Sequence, residues 1–239
     1  MRILGPVEVV GNARPFARAW ALELVIYLAL HDAGATTDQW SGALWPDRLM
    51  APASLHSTAS SARRSLGTSA LTGADHLPRA HGRLALAPSV TTDWARFRQL
   101  VATDEPEHLA QALRLIRGRP FQGLRATDWV LLEGFSATIE ASVVDAACRL
   151  AEHHLSRGEA SAAELAARLA LRVSEYDERL YRILLRAADA AGNPAGVEST
   201  MRELVQLIAD EVEPYDAVHP DTLELYRRLS RRAGIRRGA

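Results

Sequence analysis

Residues 51–66, APASLHSTASSARRSL, predict a short amphipathic helix around which the N-terminal part of the chain is organised. Its apolar residues repeat at helical spacing and fall on one side: Leu55, Ala59, Ala62 and Leu66. Its polar residues are predicted to point outward: Ser57, Ser60, Ser61 and Arg64, with His56 and Arg63 on the flanks. Such a face suits the major groove of DNA, because arginine and serine side chains reach base edges and phosphates. A solvated amphipathic helix has the same pattern, so the surrounding elements must decide between the two.

Two further helices are predicted before this segment, and short strands are predicted to open the chain. Residues 2–10, RILGPVEVV, are rich in Val, Ile and Leu and indicate one or two short strands. Phe16–His31 has the broad apolar face of a helix. Thr36 or Thr37 is placed to cap a second helix that ends near Leu44.

A hairpin is predicted after the third helix, which Gly67 is placed to end. Residues 76–87 read HLPRAHGRLALA, with Leu77, Leu84 and Leu86 on the apolar sides. The tip is predicted at Arg79-Ala80-His81-Gly82, and Arg83 follows it. Three helices closed by a hairpin form the plan of a winged helix. In that plan the third helix enters the major groove and the hairpin reaches the neighbouring backbone or minor groove.

The residue pattern changes at Asp93, after which only helices are predicted. Asp93 is placed to cap the first of them, which runs to about Val101. The others are predicted at Glu105–Ile116, Asp128–Arg157, Ser161–Val173, Asp177–Ala191, Ala195–Ala209 and Asp221–Arg232, followed by a frayed tail, GIRRGA.

An internal repeat is visible in this second part. The turns Arg157-Gly158-Glu159-Ala160 and Ala191-Gly192-Asn193-Pro194 are offset by 34 residues, and so are the pairs Ala163/Val197 and Leu171/Val205. A period of 34 with two helices per unit is that of tetratricopeptide repeats. An ordinary helical bundle with chance similarity is the alternative. We therefore predict a mainly α-helical chain: a winged helix-turn-helix with small β elements over residues 1–92, and an all-α, tetratricopeptide-like domain over residues 93–235.

The composition excludes several kinds of chemistry. All 28 basic residues are arginines, and without lysine there is no Walker-type phosphate loop, Schiff base or Ser-Lys nucleophile. The single cysteine, Cys148, allows no disulfide within the chain and favours a reducing, cytoplasmic setting and a core position. No G-x-S-x-G elbow or HExxH motif is present, and neighbouring residues in Glu152-His153-His154 diverge on a helix. We therefore expect no enzymatic activity, no metal and no cofactor.

Several stretches, in order along the chain, resemble the Streptomyces antibiotic regulatory protein (SARP) family. They are Leu4-Gly5-Pro6-Val7-Glu8-Val9, Ala43-Leu44-Trp45-Pro46-Asp47, Ala62-Arg63-Arg64-Ser65-Leu66-Gly67, Gly82-Arg83-Leu84, residues 121–129 and Tyr226-Arg227-Arg228-Leu229. The resemblance implies an OmpR-type winged helix fused to a bacterial transcriptional activator domain (BTAD). It also implies binding to direct-repeat promoter sites and recruitment of RNA polymerase. The chain departs from the family at Ser61-Ala62, where the family has a larger apolar residue and one more arginine.

Two functional hypotheses remain open at this stage. The first is a transcriptional regulator of the activator type that binds double-stranded DNA through its winged helix. Its predicted contacts are Ser57, Ser60, Arg63, Arg64, Arg79 and Arg83, with His56 as a weaker candidate. Its helical-repeat domain would contact RNA polymerase, form a homo-oligomer or sense a signal. The second is a signalling or scaffold module, part of a larger multidomain protein, that no longer binds DNA and whose repeat domain binds a protein or small ligand.

Net charge and hydropathy do little to distinguish these two hypotheses. The formal net charge of −1 gives no overall attraction to nucleic acid, so DNA affinity would depend on locally grouped arginines. No apolar run approaches the ~20 residues of a membrane span, so no membrane contact is expected from this chain.

Overall fold

The computed structural model describes residues 1–80, 82–125, 127–208 and 215–237. Contacts group the chain into two compact units. The first comprises residues 1–96 and 120–136, and the second comprises residues 97–119 and 137–239. The compact units therefore do not follow the order of the chain, because residues 120–136 return to the first unit. The predicted domain boundary at residue 92 stays a prediction.

Three helices form the body of the first unit. They are α1 (Ala19–Ala29), α2 (Thr37–Leu44) and α3 (Pro52–Leu66), and both α2 and α3 pack on α1. Helix α1 is shorter than the predicted Phe16–His31, since residues on either side do not continue the helical backbone. Helix α2 has the predicted bounds. Thr36 caps it and exchanges hydrogen bonds with Gln39 in a capping box, which satisfies backbone donors at the helix start.

A three-stranded antiparallel sheet completes this unit. Its strands are β1 (Ala35–Thr36), β2 (Arg79–Ala80) and β3 (Arg83–Leu84), in the order β1-β3-β2. Strands β2 and β3 form the predicted hairpin, although His81 at its tip lies outside the described residues. Strand β1 was not predicted from the sequence. It pairs with β3 through Ala35 opposite Leu84, a contact between residues far apart along the chain.

The prediction of strands over residues 2–10 is wrong: this segment makes only isolated bridges, Arg2 with Glu8 and Pro6 with Gln122. Ile3 and Leu4 are nevertheless fully buried, and their N–H groups donate to the buried carboxylate of Asp93 at 2.8 and 3.1 Å. Asp93 therefore anchors the N-terminal segment.

Helix α4 (Asp93–Val101) is capped by a residue other than the predicted one. The hydroxyl of Thr92 accepts a hydrogen bond from the backbone N–H of Ala95 at 2.9 Å, which is the geometry of an N-terminal cap. The predicted capping role of Asp93 is wrong because its carboxylate is occupied by the N-terminal segment.

The predicted long helix over Asp128–Arg157 is two helices. Helix α6 (Asp128–Leu132) and helix α7 (Phe135–Ser156) are separated at Gly134, whose φ of +74° is in the left-handed region that favours glycine. The break lets α6 pack on the first unit, where the Trp129 ring lies edge-on to Tyr27 at 5.0 Å.

Hydrogen bonds to distant parts of the chain fix the segment that leads to α6. The N–H of Phe121 donates to the Ile3 carbonyl at 2.9 Å, and the N–H of Arg125 donates to the buried Glu23 carboxylate at 2.6 Å. Neither contact has a local sequence signal, because the partners lie about a hundred residues apart.

The second unit is all helical over its described residues. Besides parts of α4 and α7, it contains α5 (Pro106–Arg114), α8 (Ala160–Leu171), α9 (Glu178–Ala190), α10 (Pro194–Ile208) and α11 (Pro220–Arg237). Helix α9 packs on α8, α10 and α11, and α5 packs on α8. The predicted end of α10 at Ala209 lies outside the described residues.

The predicted repeat is confirmed in this unit. Gly158 and Gly192 occupy equivalent turns with φ of +75° and +64°, and the equivalent Ala163 and Val197 are both buried. The fold is the predicted winged helix followed by a tetratricopeptide-like array. The prediction of a frayed tail is wrong as far as Arg237, because α11 continues to that residue.

The described residues contain neither a candidate membrane span nor a cluster of metal ligands. No helix among them has the length and hydropathy needed to cross a bilayer. In the same ranges, no three His, Cys, Asp or Glu residues gather as metal ligands. Burial raises the pKa of the Cys148 thiol, which lowers its thiolate fraction at neutral pH.

Candidate nucleic-acid interface

Helix α3 is held against the first unit along one face. Pro52 stands in its first turn, where its missing N–H costs nothing, and Gly67 ends it with φ of +77° and an N–H that donates to the Arg63 carbonyl. The buried face contains Leu55, Thr58, Ser61, Ala62, Ser65 and Leu66. The prediction that Ser61 points outward is therefore wrong. Ser61 lies one helical turn after Thr58, and both are buried. The buried face of α3 is therefore wider than its apolar residues alone indicate.

The opposite face carries three exposed polar residues at spacings of four: His56, Ser60 and Arg64. We call these three residues the α3 stripe. Residues four apart on a helix lie one above the other, so the stripe presents an imidazole, a hydroxyl and a guanidinium along one line. These are side chains that reach base edges and phosphates in DNA complexes. His56, the weaker candidate from the sequence, lies in line with the predicted residues Ser60 and Arg64.

Ser57 is half-buried and has a partner within the unit. Arg18, the residue just before α1, donates from its guanidinium to the Ser57 hydroxyl at 2.6 Å. This contact ties the start of α1 to the middle of α3. No sequence signal connects the two residues, because they are 39 positions apart.

Arg63 ties α3 to the segment that leads into the hairpin. Its Nε donates to the Leu77 carbonyl at 3.0 Å and lies 3.7 Å from a carboxylate oxygen of Asp75. The hydrogen of that Nε is therefore donated within the unit and is not available to DNA. Arg63 has a positioning role, whatever its terminal nitrogens contact.

Arg83 anchors the hairpin itself. Its Nε donates to the Ala33 carbonyl at 3.1 Å and its terminal nitrogen donates to the Gly34 carbonyl at 2.7 Å. Both carbonyls belong to the turn before β1. Arg83 thus fixes strand β3 to this turn, and only part of its guanidinium remains for another partner.

Arg79, at the start of β2, is exposed and lies beside α3. A groove of about 220 Å³ runs between the start of α2, helix α3 and the hairpin, and its lining includes His56, Arg63 and Arg79. The structure therefore brings together three of the predicted residues from two separate segments. Among the described residues, none of those that line this groove is acidic.

A second cavity, on the other side of His56, is lined by more acidic than basic side chains. Its volume is about 680 Å³, and its lining includes Asp38, Asp47 and Arg48. Two carboxylates against one guanidinium disfavour a phosphate on that side. The geometry thus favours an anionic partner on the hairpin side of the α3 stripe.

Comparison with known proteins adds two findings. The family profile described as the bacterial transcriptional activator domain (BTAD) matches residues 89–229. The structure of Mycobacterium tuberculosis EmbR, solved in complex with a low-affinity phosphopeptide, is similar with a TM-score of 0.68 and 25% sequence identity. That similarity covers 96% of this chain and 64% of the EmbR chain, so this chain spans about two thirds of EmbR's length. No curated protein is matched by the sequence.

Proposed function

The chain belongs to the bacterial transcriptional activator domain family, and on that basis we propose that it is a transcription regulator whose α3 and hairpin bind promoter DNA. The predicted resemblance to the Streptomyces antibiotic regulatory proteins is confirmed by the family match and by the similarity to EmbR. DNA binding and the residues that perform it are the proposal.

The observation that carries this proposal is the exposed α3 stripe beside Arg79. His56, Ser60, Arg64 and Arg79 are all exposed, while the opposite face of α3 is buried. The contacts of Arg18, Arg63 and Arg83 hold the helix and hairpin in place. Such preorganisation supports binding, because little side-chain and loop freedom is left to be lost when DNA docks.

A double variant tests the proposed contacts. We expect Arg64→Ala with Arg79→Ala to weaken binding to a genomic fragment selected by gel shift at low salt. Each lost phosphate contact should also reduce the slope of log affinity against log salt by about one. Fluorescence anisotropy titrations over a series of salt concentrations measure both quantities.

The matched control is Arg202→Ala, an exposed arginine on α10 in the second unit. This control should leave both the affinity and the salt slope unchanged. Arg63→Ala is unsuitable as the main test, because it also removes the bond to the Leu77 carbonyl that positions α3. Binding at the non-specific level, or a double variant that behaves like Arg202→Ala, would contradict the proposal.

A second candidate function, a signalling or scaffold module without DNA binding, has one observation in its favour. Ser57, Arg63 and Arg83 all have partners within the unit, which leaves Arg64 and Arg79 as the exposed arginines among the six predicted residues. Retention of the protein on a heparin column only below physiological salt would favour this candidate. Contact of the second unit with RNA polymerase and assembly of two copies stay predictions that the family membership supports.

A further inference from the structure

The second unit contains a groove that the proposed DNA contacts do not use. It has a volume of about 490 Å³ and is lined by residues of α8, α9 and α10 and of the α8–α9 loop. This volume falls within the range of small-molecule sites, about 300–1,000 Å³. The groove lies wholly within one compact unit, so its lining is set by the packing of α9 on its two neighbours.

Tyr181 is the most informative residue of the groove. Its side chain lines the groove and the residue is only 3% exposed. In the part of the chain that the structure describes, its hydroxyl has no hydrogen-bond partner. The hydroxyl oxygen is not fully enclosed, so it reaches the groove and can donate a hydrogen bond there. An acceptor supplied by a ligand would satisfy it.

The charged residues of the groove are paired with one exception. Arg168 donates to both carboxylate oxygens of Glu203 at 2.7 and 2.8 Å, and Glu175 pairs with Arg119 at 2.8 Å. Arg172 is exposed and has no ion-pair partner within the described ranges. Both glutamates therefore have arginine partners, and Arg172 is the charged residue of the lining that is left to pair with a ligand.

The rest of the groove offers apolar contact. Leu171 and Leu207 are both half-buried and line it from α8 and α10. A ligand that fits must therefore combine an apolar body with an anionic acceptor group. A cationic or wholly polar molecule would leave either Arg172 or the leucines without a complementary partner.

We propose that this groove binds a small amphipathic carboxylate, with its carboxylate on the Tyr181 hydroxyl and Arg172 and its apolar body against Leu171 and Leu207. The site is independent of DNA binding, so it holds whether or not the proposed function is correct. If the proposed function also holds, the groove is where a small molecule would act on this regulator.

Three probes of equal chain length test the class of ligand: octanoate, octanamide and octylamine, each titrated into the full chain by calorimetry. We expect octanoate to bind more tightly than octanamide, and octylamine to bind least. Equal binding of all three would show a purely hydrophobic surface and overturn the proposal, as would an absence of octanoate binding.

Tyr181→Phe tests the hydroxyl, because it removes only that group. The hydroxyl would donate to a charged carboxylate, and hydrogen bonds to charged groups are among the stronger ones. We therefore expect Tyr181→Phe to lower octanoate affinity at least tenfold. In the absence of octanoate the same variant should be at least as stable as the parent, since the hydroxyl it removes is unpaired. Octanoate affinity unchanged by Tyr181→Phe, or a clear loss of stability in the free variant, would contradict the assignment.

Arg172→Gln tests the charge. We expect this variant to bind octanoate no better than octanamide, whereas the matched control Arg202→Gln, outside the groove on α10, keeps the parent's preference. Because the readout contains no DNA, failure here is distinguishable from failure of the DNA proposal.

The titration of Tyr181 gives an independent check of the groove's structure. Burial, with a smaller contribution from the Glu203 carboxylate, raises the pKa of Tyr181 from 10.0 to about 12. Tyr27 and Tyr226, whose pKa values are also raised, are present in both the parent and the variant and cancel in the comparison. We expect the ultraviolet absorbance of tyrosinate to show a step near pH 12 that Tyr181→Phe lacks.

The same shift in pKa makes a prediction for stability. Since the folded-state pKa is raised, the contribution of Tyr181 to stability is fully present below pH 10 and is lost as the pH rises towards 12. Between these values the parent should lose more stability than Tyr181→Phe in denaturant unfolding. Equal losses would indicate that the pKa of Tyr181 is not raised by folding.

Discussion

Replacing Trp129 with alanine should destabilise the first unit by about 3–5 kcal/mol, the cost of truncating a large buried aromatic side chain. Trp129 is 2% exposed and packs edge-on against Tyr27 and Phe135, with ring centroids at 5.0 and 6.1 Å. The variant removes these contacts and leaves a cavity that helices α1 and α6 cannot fill without moving. The effect is large because this residue anchors the segment that returns to the first unit.

Tryptophan fluorescence during denaturant unfolding reports on the stability of the first unit. All five tryptophans, Trp20, Trp40, Trp45, Trp94 and Trp129, lie within residues 1–96 and 120–136. Four of these reporters remain in the variant. We expect the fluorescence midpoint to fall, while unfolding of the second unit, which contains four of the five tyrosines, changes little.

Leu132→Ala is the matched control, since Leu132 is in the same helix but is 83% exposed. Surface substitutions of this kind change stability by about 0.5 kcal/mol or less. If Trp129→Ala were as mild as Leu132→Ala, residues 120–136 could not pack on the first unit as described.

Gly34→Ala should destabilise the same unit by about 3 kcal/mol, because the backbone and the space at this position both exclude a side chain. Gly34 has φ of +66°, in the left-handed region. An added Cβ would meet the Leu84 carbonyl oxygen and come within 2.8 Å of the Ala85 Cβ. To relieve this contact, the pairing of β1 with β3 would have to open. The carbonyl acceptors of Arg83 would move with it.

Gly42→Ala is the control, and it should change the stability of the unit in the opposite direction. Gly42 lies inside α2, its φ is not in the left-handed region, and nothing lies within 4 Å of an added Cβ. Alanine there should stabilise the unit by about 0.5–1 kcal/mol through its higher helix propensity. Thermal unfolding followed by tryptophan fluorescence compares the two. A Gly34→Ala variant as stable as Gly42→Ala would mean that the turn before β1 is not closed by the hairpin.

Gly34→Ala also bears on the proposed DNA contacts. The hairpin carries Arg79, and its position depends on the bonds of Arg83 to the turn at Gly34. A displaced hairpin would separate Arg79 from the α3 stripe without altering any of these side chains. DNA affinity should therefore fall in this variant even under conditions where the unit remains folded.

The candidate site was only partly predictable from the sequence. Helical spacing correctly indicated a helix with an exposed polar face, and Ser60 and Arg64 lie on that face. The spacing could not reveal that Ser57 and Arg63 are held by Arg18 and Leu77, because these partners come from distant segments. The groove at Tyr181 had no sequence signal, because it arises only where three helices pack.

Features that depend on neighbours within a few residues could be predicted from the sequence alone. The capped start of α2 at Thr36, the end of α3 at Gly67 and the turns at Gly158 and Gly192 all follow from local hydrogen bonds and backbone preferences. The repeat was visible because each unit uses the same local pattern.

Which residues meet across the chain depends on tertiary packing. It placed Asp93 on the N-terminal segment, Arg83 on the turn before β1 and residues 120–136 in the first unit. The sequence around an arginine or a carboxylate is the same whether its partner is water or a complementary group from a distant segment. Its role is therefore set by packing over the whole unit, to which local sequence patterns are insensitive.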